Sequence, residues 1–241
     1  PVAIDGASFW SRLAAEWGHS PLPTPLELPR DASILVIAPH PDDEVLACGG
    51  TLARLSQRNC HIHVAIVTDG AKGDPLNYYA DDDDVARLRR AESRSALGLL
   101  GIENVHFLGY PDGGFQVTSE ALTCFGKLLS DIRPDWLFLP SPLDYHRDHV
   151  NVALATVRAW ESDGYQARAF LWEFWQPLPA TWVVDIGEVF ELRRSDLSAE
   201  GAAALESLLD AFDDPNGLLI TFVLGADLAL ELWKGEHRTE I

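Results

Sequence analysis

Ile34-Leu35-Val36-Ile37-Ala38-Pro39-His40-Pro41-Asp42-Asp43-Glu44 joins a short apolar run to one imidazole and three carboxylates. The apolar residues read as a buried strand, which delivers His40 to its carboxyl end. Pro41 stiffens the turn that follows. Asp42 and Asp43 are adjacent and must point in different directions, so one can bind a metal while the other moves protons. The layout is that of a metal site.

Outward from this stretch the pattern is regular. The strand at 34–38 precedes a helix at 44–56, and a strand at 61–68 precedes a loop and a helix at 85–100. A strand at 105–108, a helix at 121–132, a strand at 136–140 and a helix at 150–163 follow. Strands that alternate with helices predict an α/β fold, Rossmann-like, with a mainly parallel sheet flanked by helices on both faces. Ligands of such a sheet lie beyond the carboxyl ends of its strands. His40, Asp69 and Ser141 each fall just after a predicted strand, so three separate regions converge on that edge.

Residues 1–30 read as a lead-in, a short amphipathic helix carrying Trp10 and Trp17 and then a Pro-rich stretch. Residues 31–165 are expected to form the Rossmann-like core that carries the metal site. Residues 166–241 form a smaller, less regular part that completes the same domain and shapes the substrate pocket. Its pattern predicts strands at 169–175 and 181–186, a helix at 198–212 and an apolar tail at 218–233.

The 241 residues, 47% hydrophobic, can bury the core of one α/β domain. Acidic residues outnumber basic ones 37 to 18, a formal charge of −19, which argues against a nucleic-acid partner. Cys48, Cys60 and Cys124 show no CxxC spacing and fit a reduced, cytoplasmic protein. No apolar run has the length of a transmembrane segment. Methionine is absent throughout.

A second cluster, Asp144-Tyr145-His146-Arg147-Asp148-His149, follows the strand Trp136-Leu137-Phe138-Leu139-Pro140. With a helix starting near Asp148, the imidazoles of His146 and His149 can face one cavity. Together with His40 and Asp43 they provide a His-Asp-His ligand set and a spare histidine. Nitrogen and oxygen ligands in this number suit a catalytic Zn²⁺, with Fe²⁺ as the rival because two histidines and a carboxylate also form its facial triad. The additional proton-transfer groups favour hydrolysis.

Ala38-Pro39-His40-Pro41-Asp42-Asp43-Glu44 closely resembles the A-H-P-D-D-E signature of the PIG-L/LmbE-type zinc-dependent deacetylases, and His146-Arg147-Asp148-His149 matches their H-x-D-H signature. Thr68-Asp69-Gly70, Arg89-Arg90-Ala91-Glu92 and Leu108-Gly109-Tyr110-Pro111-Asp112-Gly113 resemble further family segments. The likeness covers roughly residues 33–165. Pro39 and Arg147 depart from the common pattern, altering the strand end and the stiffness of the second loop.

The resemblance implies that His40, Asp43 and His149 bind one zinc per chain. It implies that Asp42 is the general base acting on a zinc-polarised water, and that His146 steadies the tetrahedral intermediate. Asp148 is the expected partner of His146, raising its pKa and holding its orientation. Arg89 and Asp112 are candidate substrate contacts. Against these stand an Arg89–Glu92 pair within one helix and a plain turn role for Asp112.

Other features carry simpler readings. Carboxylates at a helix start can cap its amides, but this does not explain the second histidine cluster. Glu44 supports the first helical turn or hydrogen-bonds a ligand. His61, His63 and His106 are structural or solvent-facing, and Asp81–Asp84 form a solvated helix start. Cys48-Gly49-Gly50 lies inside a helix rather than in a nucleotide-binding loop, and its glycines permit close packing. Trp172-Glu173-Phe174-Trp175 and Trp182 are core or interface by default, or an aromatic wall for a bulky substrate.

The resemblance thus implies a deacetylase that removes an acetyl or other acyl group from an N-acyl-2-amino sugar on a small-molecule glycoconjugate, with an antibiotic-tailoring role favoured. The alternatives are an amidase of thiol-cofactor conjugates and a non-catalytic sugar- or metal-binding module.

Overall fold

The structure, a computed structural model, describes residues 23–73, 81–164, 166–175, 180–187 and 189. The element order is β1 (Thr24–Pro25), β2 (Ser33–Ala38), α1 (Asp43–Ser56), β3 (His61–Thr68), α2 (Asp82–Leu99), β4 (Asn104–Tyr110), α3 (Ser119–Ile132), β5 (Trp136–Pro140), α4 (Arg147–Asp163), β6 (Arg168–Trp172) and β7 (Trp182–Val183). The amphipathic helix at Trp10 and Trp17, the helix at 198–212 and the tail at 218–233 lie outside the described residues.

Five strands form one sheet in the order β4-β3-β2-β5-β6, and every adjacent pair is parallel. This is the expected Rossmann-like arrangement. The chain winds outward from β2 to β3 and β4, then crosses to β5 and β6, so the switch point lies between β2 and β5. Backbones diverge there, leaving a crevice at the carboxyl edge.

The central strand needs an apolar side chain at every position because both of its faces are covered. Ile34, Val36 and Ala38 pack with Ala47, Cys48, Leu52 and Leu55 of α1 and with Leu97 of α2. Leu35 and Ile37 pack with Phe125 and Leu129 of α3 and with Val152 and Ala155 of α4. The β2 residues from Ile34 to Ala38 are fully buried, and each large aliphatic side chain among them contributes about 1.5–3 kcal/mol.

Helix starts follow local chemistry. Asp81 accepts from the Asp84 N–H at 2.8 Å and Thr118 from the Ala121 N–H at 3.2 Å, a cap worth about 1 kcal/mol each. The acidic run at 81–84 is therefore a solvated helix start, as expected. His63 and His106 pair with each other, Nδ1 to Nε2 at 3.1 Å, away from the carboxyl edge.

The sequence places a strand at 181–186, but only Trp182–Val183 is extended, and it pairs with β1 in a separate two-stranded sheet rather than joining the main one. Ile186 instead turns onto α1 beside Gly50. A Cβ at Gly50 would lie 2.6 Å from Ile186 Cδ1, so this glycine does permit close packing, against an irregular segment. From the region after 165, β6 extends the main sheet through five residue pairs with β5.

Candidate metal centre

The tight turn after β2 separates the two adjacent aspartates. Asp42 stands at the N-cap of α1 with φ 112° and ψ −32°, and its side chain makes no capping hydrogen bond. Its carbonyl accepts from the N–H of Val45 and of Leu46, while its carboxylate meets the Arg89 guanidinium at 2.6 Å. Asp43, the first helical residue, turns the other way. Its Oδ2 accepts from the His40 N–H at 2.9 Å and lies 3.1 Å from His40 Nδ1. The simple capping reading fails here because neither carboxylate caps the helix.

The second loop is set by Asp144. Its Oδ1 accepts from the His146 N–H at 2.9 Å, which fixes the turn into α4. His146 occupies the N-cap of that helix, and His149 falls in its first turn. The other oxygen of Asp144 meets His149 Nδ1 at 3.1 Å. His149 Nε2 then faces Asp43 Oδ2 at 3.2 Å, out of hydrogen-bond alignment and with no other partner.

The three rings gather at the switch point. Ring centroids of His40 lie 4.8 Å from His146 and 5.3 Å from His149, and His146 lies 5.1 Å from His149. One ring nitrogen from each lies within 4.8 Å of the others. His149 is fully buried and Asp43 nearly so.

Asp148 takes a different place from the one expected. Its carboxylate accepts from the N–H groups of Gly113 and Phe115 at 2.7 and 3.2 Å, and it lies 3.2 Å from His40 Nε2. Gly113 reaches it at φ 70°, a conformation open to glycine. No hydrogen bond joins Asp148 to His146, whose Nδ1 is buried without a partner. The helix start explains this: His146 precedes α4, so its ring leaves on a different bearing from the side chains of the first turn.

Asp112 accepts from the Lys72 N–H at 3.0 Å, and its other oxygen lies 3.4 Å from His40 Nε2. It is thus a turn residue that also borders the cluster. Arg89 meets Asp42 and the Pro41 carbonyl in place of the Glu92 pairing considered from its spacing. Sequence reasoning gave Asp144 no role, although it sits just past β5 among the histidines.

Electrostatics tie these groups together. Burial disfavours charge on His40, but the carboxylates of Asp148 and Asp43 at its two nitrogens outweigh that and raise its pKa to about 10. Burial likewise opposes charge on His149, and Asp144 and Asp43 raise it to about 9. For Asp43 the same two rings overcome burial and hold the carboxyl well below the usual range. His146 moves down, through burial and then the charges of His40 and His149, with Asp148 pulling the other way through space. Asp42 rises to about 6, through desolvation and the charge of Asp43, opposed by Arg89 and His40.

These residues fit a metal ion. His149 Nε2 is buried, lies 3.2 Å from Asp43 Oδ2 and has no hydrogen-bond partner among the described residues. Its opposite nitrogen is fixed by Asp144, the arrangement in which a carboxylate orients a ligating histidine. His40 presents a nitrogen to the same oxygen. The ring nitrogens of His40, His146 and His149 form one candidate ligand group, and His40, Asp112 and Asp148 form a second, overlapping one.

A parallel sheet with a His-Asp cluster at its switch point defines a Rossmann-like protein able to hold a metal at its carboxyl edge. The family described as PIG-L, GlcNAc-PI de-N-acetylase, matches residues 35–160, more than half of the chain, and the chain belongs to it. A 1D-myo-inositol 2-acetamido-2-deoxy-alpha-D-glucopyranoside deacetylase from Mycobacterium sp. (strain KMS) is 32% identical over 187 residues, covering 67% of this chain and 59% of that relative. The chain therefore spans less than two thirds of that relative's length. Among solved structures, the N,N'-diacetylchitobiose deacetylase of Pyrococcus horikoshii superposes with a TM-score of 0.62 at 24% identity, covering 88% of this chain and 87% of that one. A 4-carboxy-2-hydroxymuconate hydratase from Pseudomonas putida superposes with 0.61 at 19%, covering 87% and 92%. These two likenesses establish the fold.

Proposed function

We propose that the protein is a zinc-dependent hydrolase that removes an acetyl group from an N-acetylated 2-amino sugar carried by a small molecule. The observation that carries this reading is the division of labour between Asp42 and Asp43. One carboxylate is buried against two ring nitrogens, and its neighbour, free of any cap, stands half-exposed at the rim with a pKa of about 6. A general base works best with a pKa near the working pH.

His40, Asp43 and His149 would hold the ion, which supplies Lewis acidity toward an amide carbonyl and toward water. Asp42 takes the proton from the attacking water and returns it to the leaving amine. His146, at the mouth of the cluster, donates toward the developing oxyanion. Asp144 and Asp148 hold the rings of His149 and His40.

The mouth is apolar on one side. Trp172 and Phe174 pack against His149, and Trp175 meets Phe174 edge-on and Tyr145 at a tilt, with Tyr145 and Trp175 exposed. This strip supports a sugar borne on a large flat apolar carrier, such as an antibiotic aglycone.

The test is acetate and free-amine release by zinc-loaded protein from a panel of N-acetylglucosamine conjugates, with carriers running from inositol to aromatic aglycones. Acetate release fastest with aromatic carriers supports the reading. One tight zinc per chain with no acetate from any member refutes it.

A further inference from the structure

We propose that Glu44 and Arg89 together clamp the peptide unit between Pro41 and Asp42, and so act as positioning residues that hold Asp42 out of the helix-capping conformation. The proposal rests on the reading of Asp42 as the base. The starting observation is a conflict. Aspartate is among the best N-cap residues because its carboxylate accepts from the amides of the first turn. Asp42 occupies the N-cap of α1 without making that bond. A capped Asp42 would be satisfied by the helix and unable to reach a substrate water.

The backbone shows how capping is prevented. Asp42 has φ 112° and ψ −32°, a region that residues with a Cβ avoid and that persists only where the surroundings over-determine it. Both poles of the preceding peptide are held by side chains. The Asp42 N–H donates to Glu44 Oε2 at 2.9 Å, and the Pro41 carbonyl accepts from Arg89 Nη2. With its N–H and C=O gripped from two helices, the peptide cannot rotate to the ordinary N-cap geometry.

Each clamp residue carries a second sign of being built for this. Glu44 is fully buried on α1, where its Oε2 accepts from the Asp42 N–H, Ser93 and the residue's own N–H also bear on the carboxylate, and Oε1 has no hydrogen-bond partner among the described residues. A carboxylate kept in the interior is costly unless the donors it meets matter, and the Asp42 N–H is one of them. Arg89 reaches across from α2 into space left by two glycines. A Cβ at Gly73 would overlap its guanidinium, and one at Gly70 would lie 2.7 Å from Pro41 Cδ and 3.3 Å from Arg89 Cδ.

Two readouts test the clamp, one of them independent of turnover. In metal-free protein, Glu44→Ala is expected to speed hydrogen exchange at the Asp42 amide at least about tenfold, while Glu44→Gln, whose amide oxygen still accepts, keeps the slow rate. In zinc-loaded protein, Glu44→Ala should lower kcat about 10- to 100-fold with KM within about twofold and one zinc retained. Glu44→Gln should recover at least about a third of kcat.

Unchanged Asp42 exchange in Glu44→Ala overturns the proposal. So does Glu44→Gln falling as far as Glu44→Ala, because the carboxylate charge and not the accepted N–H would then matter. If Glu44→Ala does not fold, Arg89→Met reads the other pole by the same exchange measurement: faster exchange supports the clamp and unchanged exchange sinks it. If the wild type releases no acetate at all, the deacetylase reading fails, while the exchange measurement still decides the clamp.

Discussion

Substituting Asp144 by Asn probes the support behind the metal cluster. Asp144 serves two donors with its two oxygens, the His146 N–H at 2.9 Å and His149 Nδ1 at 3.1 Å, in a site where its side chain is 1% exposed. Asparagine keeps the shape but has one acceptor oxygen, so its NH₂ must face one of those donors. A hydrogen bond to a charged acceptor contributes about 1.5–3 kcal/mol, and tenfold in affinity corresponds to about 1.4 kcal/mol. Zinc affinity should therefore fall about 10- to 100-fold, in the range typical for loss of a carboxylate behind a ligating histidine. Competition against a chromophoric chelator at fixed pH measures it, with urea unfolding of the metal-free proteins as the control for folding. A dissociation constant within about threefold of wild type, in a variant that folds normally, would show that Asp144 does not orient His149 for a cation.

Asp42→Ala is expected to keep its zinc and lose about 10²- to 10⁴-fold in turnover, whereas Asp43→Ala loses both; metal analysis beside an acetate-release assay separates them. Because neighbouring carboxylates raise His40 and His149 to about 10 and about 9, zinc held by both rings as proposed would have to displace a proton from each at pH 7. Calorimetric titration in two buffers of different ionisation enthalpy should show release of about two protons, with affinity rising as pH is raised toward 9; release of less than one contradicts the charged rings. Gly50→Ala gains about 1 kcal/mol of helix propensity but drives a Cβ to 2.6 Å from Ile186 Cδ1, an overpacking cost of about 1–3 kcal/mol. A net loss of stability in urea, partly relieved by adding Ile186→Ala, which removes both Cδ1 and the Cγ2 at 2.8 Å, is expected; a net gain would place Ile186 elsewhere.

The architecture was legible because a parallel sheet leaves a coarse mark. Strands covered on both faces must be unbroken apolar runs, as in Ile34–Ala38 and Trp136–Pro140, and each is followed by a helix whose stripe repeats at the helical period. The polar residues directly after such runs then fall at the carboxyl edge whatever the loops do. That is why His40 and the 144–149 cluster could be assigned to one place from order alone. The short β1–β7 pairing was not legible, since a two-residue ladder depends on where an irregular segment happens to dock.

Bearings of side chains within the site were harder to read, because they hang on single dihedral angles and on distant neighbours. Beginning α4 at Arg147 puts His146 on the N-cap, and Asp148 then meets His40 instead of its neighbour in sequence. Arg89 lies 47 residues from Asp42, and its reach depends on Gly70 and Gly73, so local spacing favoured Glu92 equally well. Asp42 shows the limit most plainly. From composition, an aspartate opening a helix is a cap, and only the backbone angle and the absent capping bond show that it was withheld from that role. The same observation separates a helix start that merely carries acids from one arranged to present a base. The site is therefore written less in which residues follow β2 than in how two other residues, Glu44 and Arg89, hold the turn that contains them.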